Sequence, residues 1–302
     1  MSANRAFGAV FVALSAILVP WTATEASAAP ATESLLDHAY AENPHPEQHL
    51  DFHWPKTAPA ATVLFIHGGS LQENGERRDS PPYRDVCRPF LAAGLACATT
   101  DYRLAPSFTW PTMPHDVASA VAEVRRLIAE RGGEPDRLVL FGHSSGCTLA
   151  ASLGTNGSFL ATVGLAPGSL AGIVAMGCVL DVHDLALRRA TADQIRAPFS
   201  RDPSDVATFG SPEGLLSAIP SIFVSQASAP TLVVVAEEER IQPPILEQGA
   251  RFVRLLDEAG VAGRLVIVPG THMSSITAIG QPGDPTFAAV VAFIEEPTGS
   301  RH

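Results

Sequence analysis

The feature that most constrains this chain is an abrupt junction near its middle. Arg137-Leu138-Val139-Leu140-Phe141 is a short apolar run that leads straight into Gly142-His143-Ser144-Ser145-Gly146, and the apolar positions from Leu149 to Leu153 follow as the start of a helix. A strand that becomes a helix across five residues needs glycine to bend so sharply. It also has to sit inside a sheet, with its outgoing helix packed on one face.

The rest of the chain repeats that alternation. Val63-Leu64-Phe65-Ile66 reads as a buried strand ending at His67-Gly68-Gly69, residues 83–93 as a helix stopped by Gly94, and Leu95 to Thr100 as the next strand. Pro114 to Arg131 places Val117, Val121, Val124, Leu127 and Ile128 on one helical face and ends at Gly132-Gly133. Further strands are predicted over Gly172 to Leu180, Thr231 to Ala236 and Leu265 to Val268, with helices from about Pro244 to Ala259 and from Pro285 to Glu296. Strands alternating with helices imply an α/β domain with a mostly parallel sheet covered on both faces.

Three segments stand outside the alternation. Arg5 precedes an apolar run from Ala6 to Val19, and Ala26-Ser27-Ala28-Ala29 follows; a basic start, a short hydrophobic stretch and small residues read as a secretory signal peptide over 1–29. The expected location is therefore secreted or periplasmic. Residues 30–60, rich in Pro and His, read as an irregular arm, and the α/β domain spans 30–302. Between Asp181 and Ala229, Pro198, Pro203, Pro212 and Pro220 interrupt short helical pieces, which reads as a helical cap insertion over about 182–229.

Composition limits the partners. The net charge of −11 repels a phosphate backbone, which excludes the usual electrostatic route to nucleic acid. Apart from the N-terminal run, which is too short to span a bilayer, no long apolar stretch occurs, so no stable membrane insertion is expected. Export places the four cysteines where disulfides persist, and of the three possible pairings Cys147 with Cys178 is favoured.

A serine hydroxyl is a weak nucleophile until a base takes its proton, and the base needs an acid to orient it. Ser144 in its strand-turn-helix setting is the candidate nucleophile, with the Ser145 N–H beside it as an oxyanion donor. His67-Gly68-Gly69, after the first core strand, offers side-chain-free backbone, and Gly68 and Gly69 are candidates for the remaining donors. His272, in Val268-Pro269-Gly270-Thr271-His272 after the last strand, is the candidate base. The acid should follow the strand ending at Ala236, where Glu237, Glu238 and Glu239 stand; Glu239 is preferred and Glu238 second. His143 reads as a shaping residue, Asp101 with Arg103 as a loop-supporting ion pair, and Asp116 as a charge favouring a helix N-terminus. Asp181 and His183 lack the spacing of a ligand cluster, so neither a metal nor any other cofactor is expected.

These motifs carry a resemblance. From about Val63 onward the chain resembles the α/β-hydrolase superfamily, in the esterase and lipase branch with a His-Gly-Gly oxyanion motif. Asp101-Tyr102-Arg103-Leu104-Ala105-Pro106, followed by Trp110-Pro111, is similar to a segment of hormone-sensitive-lipase-like esterases and of kynurenine-formamidase-like and feruloyl-esterase-like groups. Ser70 stands where such proteins often carry Gly or an aromatic residue, and Glu239 where Asp is commoner. The resemblance implies a serine hydrolase acting on a small or medium acyl ester through an acyl-enzyme. Amide, formamide or peptide hydrolysis by the same groups, and a non-catalytic binding protein of the same fold, are the alternatives.

Overall fold

A computed structural model describes residues 32–181, 203–240 and 245–296. The expected signal peptide, His183 and the first part of the expected cap lie outside the described residues.

The core is one eight-stranded sheet in the order β1-β2-β4-β3-β5-β6-β7-β8. β3 (Thr62–Ile66), β4 (Ala96–Thr100), β5 (Leu138–His143) and β6 (Gly172–Met176) are buried at every position. With β7 (Thr231–Ala236) and β8 (Gly263–Val268) they run parallel. Continuous apolar strands of this kind need cover on both faces. One face carries α2 (Thr112–Glu130), which buries Val117, Val121, Val124, Leu127 and Ile128 as its spacing requires, together with α3 (Ser145–Thr155), α4 (Gly157–Ala161) and α7 (Ile245–Glu258). The opposite face carries α1 (Cys87–Ala92) and α9 (Pro285–Glu295), through Phe90, Val290 and Phe293.

The stretch expected to be an irregular arm instead forms two strands. β1 (Thr32–Ala39) pairs antiparallel with β2 (His49–Pro55), and β2 pairs antiparallel with β4. In β2, Leu50, Phe52 and Trp54 alternate with His49, Asp51 and His53, and the apolar set is buried. That is the period-2 pattern of a strand with one covered face. Two other expectations shift. Residues 83–93 give a helix only from Cys87, because the chain from Ser80 to Val86 closes successive turns. The strand expected to reach Leu180 stops at Met176, because Gly177 takes a positive φ of 61°.

Between β6 and β7 the described residues form two short helices, α5 (Pro203–Phe209) and α6 (Pro212–Ser217). Trp110 ties both to the body: its N–H donates to the Thr208 carbonyl at 2.8 Å and its Nε1 to Ser217 Oγ at 2.8 Å. Two disulfides join Cys87 to Cys97 and Cys147 to Cys178, the second being the pairing favoured from the sequence.

Candidate active site

Ser144 lies between the end of β5 and the first turn of α3, with φ 56° and ψ −128°. A non-glycine residue holds such a conformation only where its surroundings fix it. Here the Ser144 N–H donates to the Met176 carbonyl and the Cys147 N–H to the Ser144 carbonyl, both at 3.0 Å. The flanking glycines are steric requirements. A Cβ on Gly142 would stand 2.3 Å from the Gly146 oxygen, and one on Gly146 2.2 Å from the Ile66 oxygen.

The candidate acid and base come from the ends of β7 and β8. Glu237 to Arg240 form a 3-10 turn in which Glu237 and Glu238 are exposed and Glu239 is 5% exposed. Glu239 Oε2 accepts the Ala236 N–H at 2.8 Å, and Oε1 accepts a hydrogen bond from His272 Nδ1. Because a carboxylate only accepts, Nδ1 carries the hydrogen and Nε2 keeps a lone pair for a proton. His272 opens α8 (His272–Thr277). Its position is set by a reciprocal cap in which Thr271 Oγ1 accepts the Ser274 N–H at 3.0 Å and Ser274 Oγ the Thr271 N–H at 2.7 Å. Gly177 packs beneath the pair: a Cβ there would sit 2.9 Å from both Glu239 Oε1 and His272 Nδ1.

Ser144, Ser145, Glu239 and His272 line one cleft of about 460 Å³. Leu71, Val179, Phe209 and Ile245 give it apolar walls, and Asp205 joins the lining from α5. From the loop after β3, Ser70 and Leu71 line the cleft, and Gly68 and Gly69 directly precede them. The Cβ position of Gly68 is 2.8 Å from Ser144 Cβ, and that of Gly69 is 2.5 Å from the Glu76 nitrogen. The Gly68 carbonyl accepts from His67 Nδ1 at 2.7 Å, and a Cβ on Gly68 would stand 2.7 Å from the Tyr83 hydroxyl. His67 stacks on Tyr102 with ring centroids 4.4 Å apart, and Tyr102 Oη donates to the His67 carbonyl at 2.8 Å.

The expected Asp101–Arg103 pair does not form. Arg103 makes a bidentate pair with Asp116 at 2.7 and 2.8 Å, and Asp101 pairs with Arg78. Asp116 is buried in the second turn of α2, where it also accepts from Gln48, so it anchors the Arg103 loop instead of favouring the helix start. Asp181 pairs with Arg251. Among the described residues no group of three or more His, Cys, Asp or Glu could hold a metal.

Two buried histidines have their pKa values pushed down. For His143 burial is the larger cause and neighbouring His272 the second, lowering it to about 4; His67 is lowered by burial against the pull of Asp101. Each is neutral when folded and titrates near 6.5 when unfolded, so the unfolded chain binds more protons in between. For His143 this stability is complete above pH 6.5 and is lost as pH falls toward 4, to the extent of about 3 kcal/mol. Urea unfolding of wild type and His143→Gln at pH 7 and pH 4.5 measures it: the variant should lose less stability on acidification.

The BD-FAE family model matches residues 50–253, more than half of the chain. The chain belongs to the BD-FAE family. This BD-FAE chain is 26% identical over 224 residues to Esterase LipQ of Mycobacterium tuberculosis, covering 72% of its own length and 52% of LipQ. It is 28% identical over 232 residues to an ethyl acetate hydrolase of Pseudomonas putida, covering 72% and 68%. It therefore spans about half the length of the first and about two thirds of the second. Among solved structures it resembles a truncated carbohydrate esterase from gut microbiota, with TM-score 0.64, 20% identity, and coverage of 90% and 99%. An inhibited esterase B from Lactobacillus rhamnosis superposes with TM-score 0.66, 18% identity, and coverage of 87% and 86%. These likenesses show the α/β-hydrolase fold of this BD-FAE member.

Two residues that support the surroundings of the site escaped the sequence reading. Tyr83 carried no signal after Pro81-Pro82, and Arg78 stood in a charged loop that gave no hint of its pairing with Asp37, Asp51 and Asp101. Both contacts are long-range and leave no periodic trace.

Proposed function

We propose that the chain is a secreted serine carboxylesterase that cleaves small or medium acyl esters through an acyl-enzyme. The observation that carries this reading is the buried Glu239 carboxylate hydrogen-bonded to His272 Nδ1 in the cleft that Ser144 lines. Ser144 Oγ attacks the ester carbonyl while His272 Nε2 takes its proton, and Glu239 stabilises the resulting imidazolium. The backbone N–H groups of Gly68, Gly69 and Ser145 supply hydrogen bonds to the oxyanion, the Gly68 loop lying against Ser144. His272 then protonates the departing alcohol, and a water activated by the same nitrogen releases the acid.

Support comes from the relatives named as an esterase and as an ethyl acetate hydrolase, and from a mainly apolar cleft sized for a small acyl group. The N-terminal sequence and the two disulfides favour export. A fluorophosphonate should add to the peptide bearing Ser144 and abolish hydrolysis of p-nitrophenyl butyrate. An adduct elsewhere, or an arylformamide turned over faster than any short-chain ester, would overturn the reading.

A further inference from the structure

His143, the residue between Gly142 and Ser144, is fully buried and hydrogen-bonded on both ring nitrogens. Its Nε2 lies 3.0 Å from the backbone carbonyl of His272. A carbonyl only accepts, so this nitrogen carries the hydrogen. Nδ1 then holds the lone pair and accepts the Tyr83 hydroxyl at 2.9 Å. A single neutral tautomer satisfies both contacts. The His143 ring also lies against the His272 ring, with centroids 4.6 Å apart and planes inclined by 34°.

Tyr83 extends the connection to a third loop. It is 1% exposed, packs on Phe65, and its hydroxyl is 2.7 Å from the Cβ position of Gly68. One line of contacts therefore joins the loop after β3, the turn that bears Ser144 and the backbone of His272.

We propose that Tyr83 and His143 are positioning residues for ester hydrolysis: the Tyr83 hydroxyl selects the His143 tautomer, and the His143 Nε2–H holds the His272 backbone so that its imidazole serves Ser144. The inference rests on the esterase reading of the site. The groups facing His143 are Tyr83 and His272, with Glu239 beyond His272. Burial and His272 keep His143 uncharged at neutral pH, against the opposing pull of the His272 carbonyl and Glu239. His272 can then become an imidazolium without a like charge stacked on it.

Three variants separate positioning from packing. His143→Phe keeps a ring and loses both hydrogen bonds, His143→Gln keeps an N–H within reach of the His272 carbonyl, and Tyr83→Phe loses only the hydroxyl. With a p-nitrophenyl ester, His143→Phe should lower kcat about 10²-fold at unchanged KM, since a misplaced group costs rate more than binding. The acidic limb of its kcat/KM profile should move to lower pH, because a loosely seated His272 pairs less well with Glu239. Tyr83→Phe should lose about 10-fold, and His143→Gln should recover most of the Phe loss. His143→Phe with wild-type kcat and pH profile would overturn the proposal, as would a Gln variant as slow as the Phe variant with an unmoved profile, which is the signature of packing alone. A readout independent of turnover comes from NMR titration of the His272 imidazole in a Ser144→Ala background. A shift on adding His143→Phe supports positioning, and an unchanged titration overturns it. Wild type that hydrolyses no ester but shows that shift would sink the esterase reading alone.

Discussion

Glu239→Gln should slow ester hydrolysis by about 10⁴-fold while leaving the protein folded, the scale of loss when a triad carboxylate becomes an amide. Size cannot be the cause, because Gln and Glu are nearly isosteric. The two partners of the carboxylate create the conflict. Oε2 accepts the Ala236 N–H at 2.8 Å and Oε1 accepts from His272 Nδ1, so both oxygens face donors. An amide has one acceptor for these two places. If its oxygen faces Ala236, its NH2 faces His272 and forces the tautomer with hydrogen on Nε2, which cannot take a proton from Ser144. If its oxygen faces His272, a buried N–H meets a buried NH2, and the imidazolium loses its counter-charge in either case. Glu237→Gln and Glu238→Gln, at exposed positions, should leave kcat unchanged. Measuring kcat for the three variants, with circular dichroism to verify the fold, decides which glutamate is the acid. Loss on Glu238→Gln with Glu239→Gln active would reject the assignment.

That choice marks how far the sequence could be read. The parallel strands were legible because β3 to β7 are buried on both faces and show continuous apolar runs, and α2 because its apolar residues repeat at helical spacing. The Ser144 turn was legible because it needs glycines at fixed offsets. β2 went unread: Leu50, Phe52 and Trp54 alternate, but the His residues between them and the Pro residues around them obscured the period. β1 was not readable: it is an edge strand, exposed at most positions, with Leu35 and Leu36 adjacent, so its place comes from pairing with β2 alone. Within the site, spacing favoured Glu239 among three neighbours, but only tertiary placement distinguishes the buried carboxylate from the two solvated ones. Arg103 shows the same limit. Its neighbour in sequence, Asp101, was the expected partner, yet the folded chain brings Asp116 closer and gives Asp101 to Arg78. Charge pairs are decided by three-dimensional proximity, on which sequence adjacency has little hold.

Removal of the Cys147–Cys178 disulfide should lower stability and turnover together. The bridge closes a separation of 31 residues, so its loss releases chain entropy worth about 4 kcal/mol, against about 3 kcal/mol for the separation of 10 closed by Cys87–Cys97. Thermal unfolding of the two double Cys→Ala variants should rank them in that order. The effects on catalysis should differ more, for a local reason. Cys147 donates its N–H to the Ser144 carbonyl, and Cys178 follows Gly177, the residue packed beneath Glu239 and His272. The bridge therefore joins the turn that bears Ser144 to the bend beneath Glu239 and His272, whereas Cys87–Cys97 joins α1 to β4. Cys147→Ala/Cys178→Ala should accordingly lose about 10-fold in kcat at a temperature where it remains folded, since slight misplacement of reacting groups is costly. Cys87→Ala/Cys97→Ala should keep its kcat under the same conditions. Equal losses of turnover in the two variants would mean that the bridge near Ser144 acts through global stability alone, and that the elbow holds its geometry from the Ser144–Met176 hydrogen bond and the glycine contacts without covalent help.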